Sequence, residues 1–330
     1  MARSAQLDYL PIMIRPVAPR PAETPPPLRM PAWALPVEGA SDMIDAAFFA
    51  GAAAHALDPV IRSEPVWGGV WRQRLALRAA AASVRLIGRG EDEAALRDSW
   101  CLRQIDADPG PAGNILRAWR HLVTRRSTVD GNELAVVAEW LGLRRGEALA
   151  SLPGTIEAVV RSARPAPLAA AAIAGHVMAT RPDAEILAWW LADLALAEKL
   201  CWARPVPLLA MQAPGSVFRA GSRRGKRIRP GEEGFEQALC LAFSSGAVEA
   251  LRLAADIARY AERLFAIAPK LRAKGAGEVI RKLLNEDAVP GTLTTKTLSR
   301  FGARRLFQRL QDADAVRELS GRPAFRLYGL

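Results

Sequence analysis

From Ser41 to Ala210 apolar residues recur every three to four positions, punctuated by Gly and Pro. No stretch in that range alternates polar and apolar residues with period two over a useful length. The pattern predicts helices in "SDMIDAAFFAGAAAHAL", with Ser41 as N-cap, and in "WGGVWRQRLALRAAAASVRLIG", ending near Gly88. It predicts more in "EDEAALRDSWCLR", "PAGNILRAWRHLVTRR", "DGNELAVVAEWLGL" and "GEALASLPGTIEAVVRSA", the last broken at Pro153. A further pair covers "PLAAAAIAGHVMA" and "PDAEILAWWLADLALAEKLCW". Beyond a loop at 213–234, one long helix is predicted over 235–268, where Leu251, Ala254, Ala255 and Ala258 suit close packing.

Both ends break the pattern. Residues 1–40 hold nine prolines and predict an extended arm. After Pro269 a basic, Gly-containing connector marks a domain boundary, with a helical body at 41–268 and a small unit at 269–330. In that tail, helices are predicted at 278–289, from 294–300 and at 302–311, followed by short strands in "AVREL" and "AFRLY" around "SGRP". Val316, Leu319, Phe325 and Leu327 are expected to cover the helices. Three helices plus a β-hairpin is the layout of a winged helix. The expected fold is therefore mainly α, a multi-helix bundle with a small C-terminal winged-helix domain.

Charge sharpens this picture. Of 45 basic residues 39 are Arg, and the net charge is +11. Residues 1–210 carry 23 basic and 22 acidic side chains, whereas 211–330 carry 22 and 12. The excess thus sits in the last third, as expected for a polyanion partner or a solvated face. On a helical wheel Ala303, Leu306, Phe307 and Leu310 share one side, while Arg304, Arg305, Gln308 and Arg309 point away. With Lys296, Arg300 and Arg322 at the hairpin tip they make the candidate nucleic-acid contact, Gln308 as a base reader. The loop "AGSRRGKRIRP" adds Arg223, Arg224, Lys226 and Arg227, either as a phosphate grip or as a solvated loop.

Other chemistry finds little support. The same loop is one residue short of a phosphate-binding P-loop, and Arg227 replaces the Ser or Thr that would hold Mg²⁺. Three scattered cysteines and three histidines argue against disulfides and metal clusters and fit a reducing cytoplasm. The apolar stretches 166–179 and 186–197 read as buried helices rather than membrane spans, the second being interrupted by Asp193. Glu91, Asp92 and Glu93 complement a helix dipole. Asp183, Glu185 and Asp193 read in the same way as helix-dipole carboxylates, with an Arg inside the helical body as the alternative partner of Asp193. Cys101 lies near Arg97 and Arg103, which would lower its pKa, but a lone buried thiol is the simpler reading. His121 reads as a helix-surface residue, and His55 and His176 as core or boundary residues.

The stretches "PAWALPVEGASDMIDAAFFAGAA", "RQRLALRAAAASVRLIGRGEDEAALRDSW", "APKLRAKGAGEVI" and "RRLFQRLQDADAVRELSGRPAFRLYGL" resemble an uncharacterised proteobacterial family, the domain-of-unknown-function family numbered 1403. The likeness runs from about Pro31 to Leu330 and implies no activity. The tail also resembles the winged-helix ends of Fic-domain proteins, with Asp314 where a Gly usually ends the helix. The Fic loop H-P-F-x-x-G-N-G-R is absent, which removes that nucleotide-transfer chemistry. The resulting expectation is a non-catalytic, cytoplasmic, cofactor-free protein that contacts DNA through its tail. The alternative is a helical scaffold or adaptor whose tail binds a protein partner or a second copy, and an enzyme with an unrecognised helical site stands third. None of these readings places the chain in a membrane.

Overall fold

The computed structural model describes residues 28–36, 42–104, 107–128, 130–220, 225–320 and 325–330. Helix follows helix: α1 (Met43–Arg62), α2 (Gly68–Leu86), α3 (Glu93–Leu102), α4 (Gly110–Thr124), α5 (Gly131–Trp140), α6 (Glu147–Ala150), α7 (Leu152–Arg161), α8 (Ala166–Thr180) and α9 (Glu185–Lys199). After a non-helical stretch come α10 (Phe235–Ile267), α11 (Ala276–Asn285), β1 (Val289–Pro290), α12 (Arg300–Asp312), β2 (Arg317–Glu318) and β3 (Leu327–Gly329). The mainly helical expectation thus holds.

Local chemistry sets the boundaries. α1 is capped by Asp42, whose carboxylate accepts from the Asp45 N–H at 2.9 Å. Ser41, the expected cap, lies outside the described residues. Asp92 caps α3 in the same way at 2.8 Å. The expected break at Pro153 falls at Ser151, where α6 stops and α7 begins with Pro in its first turn. Within the Pro-rich segment expected to be a free arm, residues 28–36 form a short 3₁₀ turn that buries Met30 and Ala34.

α1 lies along α10, the α8–α9 hairpin packs against the same helix, and α2 packs on α4 and α11. Alanine lets these backbones approach. At Gly246 of α10 a Cβ would come within 2.4 Å of the Leu208 carbonyl oxygen, so only Gly fits. α2 and α9 are buried nearly all round. Three fully buried indoles each find an acceptor: Trp71 on the Ala250 carbonyl, Trp119 on the Ser83 hydroxyl and Trp190 on the Ala118 carbonyl, at 2.9–3.0 Å. By length and composition two helices could cross a membrane, Met43–Arg62 and Phe235–Lys270. They pack on each other, and the core helix of a folded domain meets the same criterion.

Asp193 of α9 is fully buried, and its partners are neither an Arg nor the first turn of its own helix. Its carboxylate accepts from the backbone N–H groups of Leu208 at 2.9 Å, Leu209 at 3.0 Å and Ala210 at 3.3 Å. It therefore organises the 3₁₀ turn Ala210–Gln212. Burial pushes its pKa up to about 7, against the amides that hold it down. An unfolded Asp titrates near ~3.9. The folded state therefore holds the extra proton between those values, and Asp193 costs increasing stability as pH rises through that window. Urea unfolding at two pH values, one inside the window and one above it, checks this. Relative to wild type, Asp193→Asn should gain stability at the higher pH; an unchanged difference contradicts the assignment.

Candidate nucleic-acid interface

α12 is amphipathic by sequence. Ser299 caps it, accepting the Gly302 N–H at 3.2 Å. Ala303, Leu306, Phe307 and Leu310 are buried, as the wheel predicts, and Arg300, Arg304, Arg305, Gln308 and Arg309 are exposed. Phe307 stacks on Tyr328 of β3, with centroids 4.6 Å apart and planes 8° from parallel, which fixes the helix to the sheet. The helix ends as a Schellman motif: Ala315 N–H donates to the Leu310 carbonyl at 2.9 Å and Asp314 N–H to Gln311 at 2.9 Å. Asp314 takes the left-handed position, with φ 51°. Its carboxylate pairs with Arg263 of α10, so the residue that replaces the usual Gly also ties the tail to the body.

The sheet is antiparallel, in the order β1-β3-β2. Three features differ from expectation. Residues 294–299 are not helical; Thr295 and Leu298 exchange backbone hydrogen bonds, and Thr295 Oγ1 accepts the Thr297 N–H at 3.3 Å. A run of β-branched Thr side chains competes for these amides, and the helix starts only at Arg300. Strand β1 is present although two residues give no readable period. Phe325, expected in the core, is 56% exposed, and Leu327, Tyr328 and Leu330 take that place.

The tail is anchored at Asp287, between α11 and β1. Arg74 of α2 donates from Nε to its carboxylate and from Nη2 to its carbonyl at 3.0 Å. Arg97 of α3 reaches the other carboxylate oxygen at 2.5 Å. The Arg74 Nη1 also donates to the Leu330 carbonyl at 3.1 Å. All three side chains are buried. Burial raises the Asp287 pKa, but Arg74 and Arg97 outweigh it and hold the carboxyl below its ordinary value. The group therefore stays ionised through the neutral range. Next door, Arg120 of α4 pairs with Glu286 at 2.6 Å. At Gly69 of α2 a Cβ would sit 2.9 Å from the Asn285 Cα, so the two helices meet backbone to backbone.

Elsewhere the expected basic residues diverge. Lys296 is exposed, whereas Arg223, Arg224 and Arg322 lie outside the described residues. Arg227 is half-buried and pairs with Glu185 of α9, so it is committed to the body. Lys226 is exposed, 3.6 Å from Glu232. This loop packs at the start of α10, where Phe218 meets Phe235 with centroids 5.6 Å apart. The turn that ends α12 meets α10 at Arg263, about eight turns away, or about 40 Å. Among the described residues, Lys226 and Arg227 therefore form no common patch with α12. Two other expectations change: His55 is exposed, and His121 is half-buried and 3.4 Å from Glu133. Burial pushes the Cys101 thiol up to about 11, in line with the simpler reading of a lone thiol and against a lowering by Arg97 and Arg103. Among the described residues no three or more His, Cys, Asp or Glu gather as metal ligands would.

A mainly helical body carrying a short helix–sheet tail is thus the architecture. The chain belongs to the family DUF1403, proteins of unknown function, whose family model matches residues 21–330. No curated protein matches the sequence.

Removing Asp287 leaves two guanidinium groups facing each other in the interior. Asp287→Ala should cost about 3–5 kcal/mol, the usual penalty for an orphaned buried charge. Arg304→Ala should stay within about 0.5 kcal/mol of wild type, as an exposed site does. Denaturant unfolding compares the two, and equal losses would contradict the anchor.

Proposed function

We propose that the chain is a non-catalytic nucleic-acid-binding or regulatory protein of the cytoplasm that contacts DNA through residues 269–330, with α12 as the reading helix of a winged-helix module. The topology supports this reading: helix, strand, helix and hairpin, with sheet order β1-β3-β2 and α12 leading into β2. In this reading the segment at 294–299 takes the place of the middle helix.

The observation that carries the proposal is the unpaired charge on α12. Arg300, Arg304, Arg305 and Arg309 are all exposed on one face of a single helix and have no carboxylate partner among the described residues. Like charges at Arg300/Arg304 and Arg305/Arg309 destabilise a helix by about 0.2–0.5 kcal/mol per pair. Arg300 also sits in the first turn, where the dipole disfavours cations and attracts anions. A phosphate backbone would relieve both penalties.

A second reading, a tail that docks a protein, is favoured by Phe301, 79% exposed beside these arginines, and by Phe325. Fluorescence anisotropy with a labelled duplex across a salt series separates the two. About five phosphate contacts require log Kobs to fall against log salt with slope about −4 to −5. Arg304→Ala with Arg305→Ala should flatten that slope by about 2. No binding at about 50 mM salt, or a slope untouched by the substitutions, overturns the DNA reading.

A further inference from the structure

A cavity of about 330 Å³ lies where α3 and α4 meet α11 and β1. That is the lower end of the range for small-molecule sites. Its charged wall consists of Arg97, Arg103, Arg120 and Lys282 facing Glu286 and Asp287. Both carboxylates are committed, Asp287 to Arg74 and Arg97, and Glu286 to Arg120. Arg103 and Lys282 therefore bring positive charge to the cavity with no carboxylate partner among the described residues.

Arg103 is held in place from behind. Its guanidinium carbon lies 3.7 Å from the centroid of the Trp100 ring, and Nη1 donates to the Trp100 carbonyl at 3.2 Å. Its Nε is buried and has no hydrogen-bond partner among the described residues. The guanidinium therefore keeps its Nη groups for an anion in the cavity. Leu77, Leu116 and Leu293 supply an apolar side. Cys101 also lines the cavity as a neutral thiol, so the chemistry here is binding and not covalent attack.

We propose that this cavity binds a small organic anion, a carboxylate or phosphate monoester with a short apolar body, through Arg103 and Lys282. The site is separate from the α12 face and stands whether or not that face binds DNA. Isothermal titration of the full chain with citrate, phenyl phosphate and inorganic phosphate at fixed ionic strength tests it. Citrate and phenyl phosphate distinguish the carboxylate source from the phosphate source. At least one probe should bind saturably to a single site, and Arg103→Ala and Lys282→Gln should each weaken it by about tenfold, the loss of one charge-assisted hydrogen bond. Arg145→Ala, at an exposed position outside the cavity lining, should leave the affinity unchanged. If Arg103→Ala unfolds the chain, Lys282→Gln alone carries the comparison. No saturable binding of any probe, or affinities unmoved by the cavity substitutions, overturns the proposal.

Discussion

One carboxylate holds the C-terminal segment against α2 and α3. Asp287 receives Arg74 from α2 and Arg97 from α3, and Arg74 also binds the Leu330 carbonyl. Desolvating three charges is expensive, and their attraction offsets it only when geometry and remaining hydrogen bonds are complete. Here a backbone carbonyl from each side of the tail completes the set. A slipped tail would strand a charge in the interior, so the clamp specifies one docking pose more than it adds stability. The backbone contact at Gly69 and the Asp314–Arg263 pair fix the same pose from two other directions.

With the tail fixed in that pose, α12 buries Ala303, Leu306, Phe307 and Leu310 and turns its arginines to solvent. Arg300, Arg304, Arg305 and Arg309 thus share the solvent side of one short helix, while Lys226 and Arg227 lie at the other end of α10. A ligand gripping both would have to span about 40 Å.

Much of this was legible in the sequence, and the misses have physical causes. The long helix and the buried face of α12 follow from period 3.6 alone. The left-handed Asp314 was readable as a residue in a glycine position, although its tie to Arg263 was not. Thr294–Thr297 misled because a capping residue was visible while the competition of Thr hydroxyls for local amides was not. A helix dipole or an Arg was the partner read for Asp193, but a buried carboxylate is also satisfied by amides that only the folded chain gathers. The Asp287 clamp had no sequence signal, since its partners lie 213 and 190 residues away. The cavity that holds Arg103 was hidden for the same reason.

Hydrogen exchange of the full chain, with and without a DNA duplex, addresses the central claim in one measurement. The account predicts that α11 and β1 are protected as strongly as α2 in the free protein, and that DNA adds protection confined to α12 and its approach. Rapid exchange across α11 in the free protein, or DNA-induced protection that avoids α12, would contradict it.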